Sequence, residues 1–185
     1  NEDLSSDTIA VTFDDGYEDN YLNAYPILEK QGIPATIFLA TGRIGKKNGY
    51  LNENEIRLMT RLGIGFASHT VTHPILSCLS DDKTREELSI SMEFIETIVG
   101  KKVQYLAYPK GKSHHFTERT KKIAREIGYE AAFSTENGLL GPDSDLFALN
   151  RIGIRECPLF TFKLRLSGLY EIKLFYNIRK KLNLT

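Results

Sequence analysis

Apolar residues fall into short, nearly unbroken runs set between longer helix-like stretches. The runs are Thr8–Phe13 (TIAVTF), Ala35–Leu39 (ATIFL), Gly65–Ser68, Val103–Tyr108, Glu130–Ser134 and Phe147–Ile154. Such continuity is expected of strands whose two faces are both covered by helices. One joint recurs four times: a helix-like segment, a glycine (Gly32, Gly63, Gly100 or Gly128), then an apolar run. Glycine supplies the left-handed residue that ends a helix, and Lys30 and Arg61 sit where a last-turn cation suits the helix dipole. Helix starts are marked as well. Asn52-Glu53-Asn54-Glu55 has the shape of a capping box, and Asp81-Asp82 opens a segment ending near Val99. Strand and helix alternate about six times, which predicts a parallel α/β sheet, open or closed into a barrel. The joints are unevenly spaced, so they are one supersecondary unit reused rather than a solenoid repeat. No linker interrupts the pattern. One domain over residues 1–185 is expected, with a core from about 8 to 155.

Composition narrows the function classes. Lys plus Arg and Asp plus Glu both number 24, without the basic excess of a nucleic-acid binder. Two cysteines, Cys78 and Cys157, are too few for a disulfide framework; buried thiols are expected, with a single bridge as the alternative. No apolar run approaches the ~20 residues needed to cross a bilayer. The chain starts with Asn, so a targeting segment upstream stays open. The segment 158–185 carries Lys163, Arg165, Lys173, Arg179, Lys180 and Lys181 against one acid, Glu171, a net of +5 interleaved with apolar residues. It is expected to be a final helix covering the barrel; the alternative is peripheral contact with an anionic membrane.

Functional groups in parallel sheets gather where strands end. Three strand ends stand out: Thr12-Phe13-Asp14-Asp15-Gly16-Tyr17, Ser68-His69-Thr70-Val71-Thr72-His73-Pro74, and Leu106-Ala107-Tyr108-Pro109-Lys110-Gly111. Two histidines four apart, with one carboxylate, make a three-ligand face that leaves coordination positions open. A metal held there can lower the pKa of a water to ~7 and polarise a carbonyl. An adjacent second carboxylate then supplies the base that hydrolysis needs. Taken singly, an Asp-Asp pair is more often a turn and an HxxxH a structural pair; two such motifs on one parallel sheet are far more specific.

These residues resemble the polysaccharide deacetylase family, carbohydrate esterase family 4, also called the NodB-homology domain. Thr12–Gly16 matches its first motif and Ser68–Pro74 its second; Tyr25-Pro26-Ile27-Leu28 through Gly32–Leu39 is also typical. The resemblance implies a distorted (β/α) barrel of about seven or fewer parallel strands. It implies one divalent metal, usually zinc, on Asp15, His69 and His73, with Asp14 as the base. The implied substrate is an N-acetylated glycan or glycolipid; a cell-envelope-associated or secreted location is expected, with the cytoplasmic membrane face as the alternative. The third motif is matched in part by Ala107–Gly111, giving the Lys110 backbone N–H as oxyanion donor and Tyr108 and Pro109 as substrate-facing residues.

Three departures are visible. Ala107 stands where the family's third motif has an arginine that braces the catalytic Asp. The fourth motif's acid and tryptophan are replaced by Phe133-Ser134-Thr135-Glu136-Asn137. No histidine follows His115 to serve as the fifth motif's acid. Arg151, at the end of the last strand, is expected to reach Asp14 in place of the missing arginine. His114 and His115 are expected to be exposed loop residues, with proton donation to the leaving amine as their alternative, and metal-bound water or Asp14 itself as other proton sources. Rival readings are a non-haem iron enzyme, which has no use for a second Asp, and a sugar-binding domain with a degenerate site. An aspartyl-phosphate phosphatase wants its carboxylates two apart and fits less well.

Overall fold

The computed structural model describes residues 8–167. Five parallel strands, β1 (Val11–Phe13), β2 (Ala35–Leu39), β3 (Gly65–Ser68), β4 (Tyr105–Ala107) and β5 (Ala131–Phe133), pair in sequence order. Helices α1 (Tyr25–Gln31), α2 (Glu53–Arg61), α3 (Asp81–Val99) and α4 (Glu118–Ile127) cross between them, and α5 (Leu159–Leu166) follows. The sheet curls into a distorted, incomplete (β/α) barrel.

Local signals set these boundaries. Gly32, Gly100 and Gly128 end α1, α3 and α4 with φ of 64°, 68° and 112°. Before α2, the Asn52 side chain accepts from the N–H groups of Asn54 and Glu55 while Glu55 accepts from the Asn52 N–H, a complete capping box.

Period-two alternation sorts the strand residues. Ile37, Leu39, Phe66, Leu106 and Ala132 pack outward in the main core with helix residues such as Leu88, Ile95 and Ile123. Phe38, Ala67 and Ala107, with the half-buried Phe133, form a small cluster on the other face, inside the barrel.

The sixth run does not form a full strand. Only Leu149 bridges to Phe133. Ala132 N–H donates to Leu146 and its carbonyl accepts from Leu149, one residue more than a regular parallel ladder spans. This one-residue bulge, beside the turn in which Ala148 N–H donates to Asp145, leaves a single bridge at Leu149, after which Ser134 N–H donates to Leu149 O and Arg151 N–H to Glu136 O without building a full strand. Among the described residues this edge makes no backbone hydrogen bond to Val11–Phe13 of β1. A side chain spans the gap instead: Arg151 Nη1 lies 3.3 Å from Thr12 Oγ1 on β1, while its Nε donates to Ser134 O at 2.8 Å.

One expectation is corrected and one lies beyond the described residues. Neither cysteine is a buried thiol: Cys78 is exposed and Cys157 half-buried, and both are free. Of the C-terminal segment only α5 is described, with Leu159 and Phe160 exposed; the basic amphipathic helix expected over the remainder lies outside the described residues. Among the described residues no helix is long and apolar enough to cross a membrane.

Candidate active site

The C-terminal ends of β1, β2, β3 and β4 converge on one acidic and imidazole cluster. Ligand atoms of Asp15, His69 and His73 all lie within 4.8 Å of one another. His73 Nε2 and Asp15 Oδ1 are 3.5 Å apart, close to the edge, about 3.4 Å, of a tetrahedron with ~2.1 Å bonds. His69 Nδ1 lies 2.7 Å from the Ala107 carbonyl. A carbonyl can only accept, so Nδ1 carries the proton and Nε2 keeps its lone pair for a ligand. Burial lowers the proton affinity of His69, outweighing the opposing pull of Asp14, the Ala107 hydrogen bond and Asp15. Burial and the neighbouring His69 do the same to His73. Both rings are thus held neutral, the state a cation needs. The donor set fits one divalent ion of the zinc type.

The backbone around the cluster is unusual. Asp15, Thr70, His73 and Lys110 have φ between 62° and 71°, left-handed values that non-glycine residues seldom adopt. The His-containing loop is held by several bonds. Thr70 N–H donates to Ser68 Oγ, His73 N–H to Thr70 Oγ1, and Thr41 N–H to Thr70 O. Glu87 on α3 accepts from the N–H groups of Val71 and Thr72 at 2.8 and 2.9 Å and from Thr72 Oγ1 at 2.6 Å. Glu87→Ala is expected to lower stability by about 1–2 kcal/mol and zinc affinity by about tenfold. Urea unfolding and zinc titration check the two effects.

Asp14 stays outside the ligand cluster and faces Arg151. The guanidinium donates Nη1 to Oδ1 and Nη2 to Oδ2, both at 2.7 Å, a bidentate pair. Burial pushes the Asp14 carboxyl up, but the Arg151 hydrogen bonds and charge bring it below its ordinary 3.8. The guanidinium sits 5.6 Å from the centroid of the Phe38 ring, in the same inner cluster as Ala107.

The third strand end divides by face. The Lys110 N–H donates to no group among the described residues, and the turn behind it is tight: a Cβ on Gly111 would stand 2.7 Å from Thr135 N. Tyr108 does not face substrate. Its side chain is fully buried, its ring stacks on Phe116 at 4.0 Å and its hydroxyl donates to Phe147 O. Pro109 is buried too, so neither offers a sugar a surface. The 3₁₀ turn Ser113–His115 holds both remaining histidines, rings 4.0 Å apart, with His115 Nδ1 accepting from Lys112 N–H. Neither ring contacts the metal cluster.

Two functional neighbours escape sequence reasoning. Glu87 has no motif around it. Arg43, in the turn after β2, donates to Asp15 Oδ1 and to the Tyr50 hydroxyl, each at 3.0 Å. Its place just beyond a strand end was the available signal.

Residues 1–132 match the sequence profile described as polysaccharide deacetylase. The chain belongs to this family. A Bacillus subtilis (strain 168) protein named as a polysaccharide deacetylase, YxkH, is 35% identical over 150 residues, 81% of this chain and 52% of that protein. The poly-beta-1,6-N-acetyl-D-glucosamine N-deacetylase of Staphylococcus aureus (strain N315) is 26% identical over 89% of this chain and 60% of its own length. The chain thus spans about half to three-fifths of these curated relatives. Among solved structures, the Streptococcus pyogenes deacetylase PplD, in complex with acetate, superposes with a TM-score of 0.78 at 31% identity, covering 83% of this chain and 68% of that one.

Proposed function

We propose that this polysaccharide deacetylase is a metal-dependent hydrolase that removes N-acetyl groups from N-acetylglucosamine-type units of a glycan or glycolipid. The observation that carries the reading is a division of labour between neighbouring carboxylates: Asp15 joins His69 and His73, while Asp14 is held apart by Arg151. A divalent ion on Asp15, His69 and His73, zinc by its donors, supplies Lewis acidity toward the acetamide carbonyl.

The remaining chemistry falls to side chains and backbone. A water facing the acetamide carbon gives its proton to Asp14 as its oxygen adds to that carbon. Two Arg151 bonds fix the Asp14 plane during the transfer. The Lys110 N–H would donate to the oxygen on which negative charge develops, a role indifferent to the side chain. Asp14 then passes the proton to the leaving nitrogen as the C–N bond breaks, releasing acetate and a free amine. His114 and His115 are not needed for this balance. A substrate of this class implies an envelope-associated or secreted protein.

Acetate release is the test, with poly-β-1,6-N-acetylglucosamine, chitin oligomers and peptidoglycan as substrates. Release from at least one is expected, falling about 100-fold or more after chelation and returning with zinc. Glycan binding without any release would instead support the sugar-binding reading and overturn this one.

A further inference from the structure

Arg43 has no part in the hydrolysis described above, yet it occupies the ligand oxygen that a metal needs. Its Nη1 lies 3.0 Å from Asp15 Oδ1, the oxygen that faces His73 Nε2. The same nitrogen donates to the Tyr50 hydroxyl, and the guanidinium carbon is 5.3 Å from the Tyr50 ring centroid. Tyr50 is a fixed neighbour. It bridges Tyr17 in antiparallel fashion, packs against that ring at 4.9 Å in a tilted pair, and is followed by Leu51, whose N–H donates to Gly16 O. The berth is therefore tied to the very loop that carries Asp15.

A guanidinium and a divalent ion on one carboxylate oxygen would stand only about 5 Å apart. At that separation like charges shift an equilibrium constant by about tenfold or more, even with strong solvent screening. Without either cation, Asp15 would be an uncompensated, mostly buried carboxylate on strained left-handed backbone.

We propose that Arg43 is a cationic stand-in for the metal: it neutralises and holds Asp15 in the metal-free chain, and turns back onto the Tyr50 ring when the ion binds. Metal uptake is then an exchange of one cation for another, and Arg43 is a positioning residue acting through Asp15. The proposal rests on Asp15, His69 and His73 being ligands.

Zinc affinity, measured by competition with a chromophoric chelator, and thermal unfolding of the metal-free protein test it. Arg43→Gln is expected to bind zinc about tenfold more tightly and, metal-free, to melt about 2–4 °C lower. Arg43→Lys, which keeps the charge, should stay close to the native protein in affinity. Tyr50→Leu removes the berth but not the guanidinium, and should weaken zinc binding. Unchanged or weaker affinity in Arg43→Gln, or unchanged affinity in Tyr50→Leu, overturns the proposal. No zinc binding by the native chain, or equal binding by His69→Ala, removes the ligand reading itself and this proposal with it.

Discussion

The Asp14→Asn variant is expected to release acetate about 10³-fold more slowly than the native chain, while still binding one zinc ion with little change in affinity. The substitution keeps size and shape but removes the proton acceptor. Asp15, His69 and His73 do not depend on Asp14 for their hydrogen bonds: His69 is oriented by Ala107 O, and the His73 backbone by Thr70. Binding and turnover should therefore separate, with kcat falling and zinc stoichiometry unmoved. Initial rates on N-acetylglucosamine oligomers, read beside metal content, check it. Loss of zinc along with activity would show instead that Asp14 is a ligand.

Arg151→Met carries the second large effect, and it acts on stability and turnover together. The guanidinium is mostly buried, with 15% of the side chain exposed, and makes two bonds to Asp14, one to Ser134 O and one to Thr12. Methionine fills similar volume and makes none of them, leaving a partly buried carboxylate without its partner. A loss of about 2 kcal/mol is expected, which lowers the melting temperature by about 4–8 °C. Turnover should fall by about 10²-fold as the Asp14 plane loses its two anchors. Arg151→Lys should recover part of the stability and little of the rate, because one ammonium cannot reproduce a planar fork. Equal activity in Arg151→Met and the native chain would mean that the pair is structural only.

Legibility in the sequence followed the range of each interaction. Helix ends were readable because a left-handed residue is a local demand, met by Gly32, Gly100 and Gly128 within their own turns. The ligand cluster was readable because its members lie in two short segments at strand ends. Arg43 and Glu87 were not, since each acts through a contact 15 or more residues away that no periodicity announces. Tyr108 shows a different failure. Leu106 packs in the outer core and Ala107 inside the barrel, so strict alternation already sends Tyr108 outward, whatever motif it stands beside. The last strand was over-read because a one-residue bulge leaves no mark in an apolar run.

The unzipped seam between Leu149 and β1 gives this barrel a particular way of ageing. An exposed catalytic acid can be lost by neutral drift, and the scaffold survives as an inert binder. Arg151 cannot be shed so quietly. The guanidinium that holds Asp14 also reaches Ser134 O and Thr12 on β1, so its removal would loosen the facing edges along with the Asp14 pair.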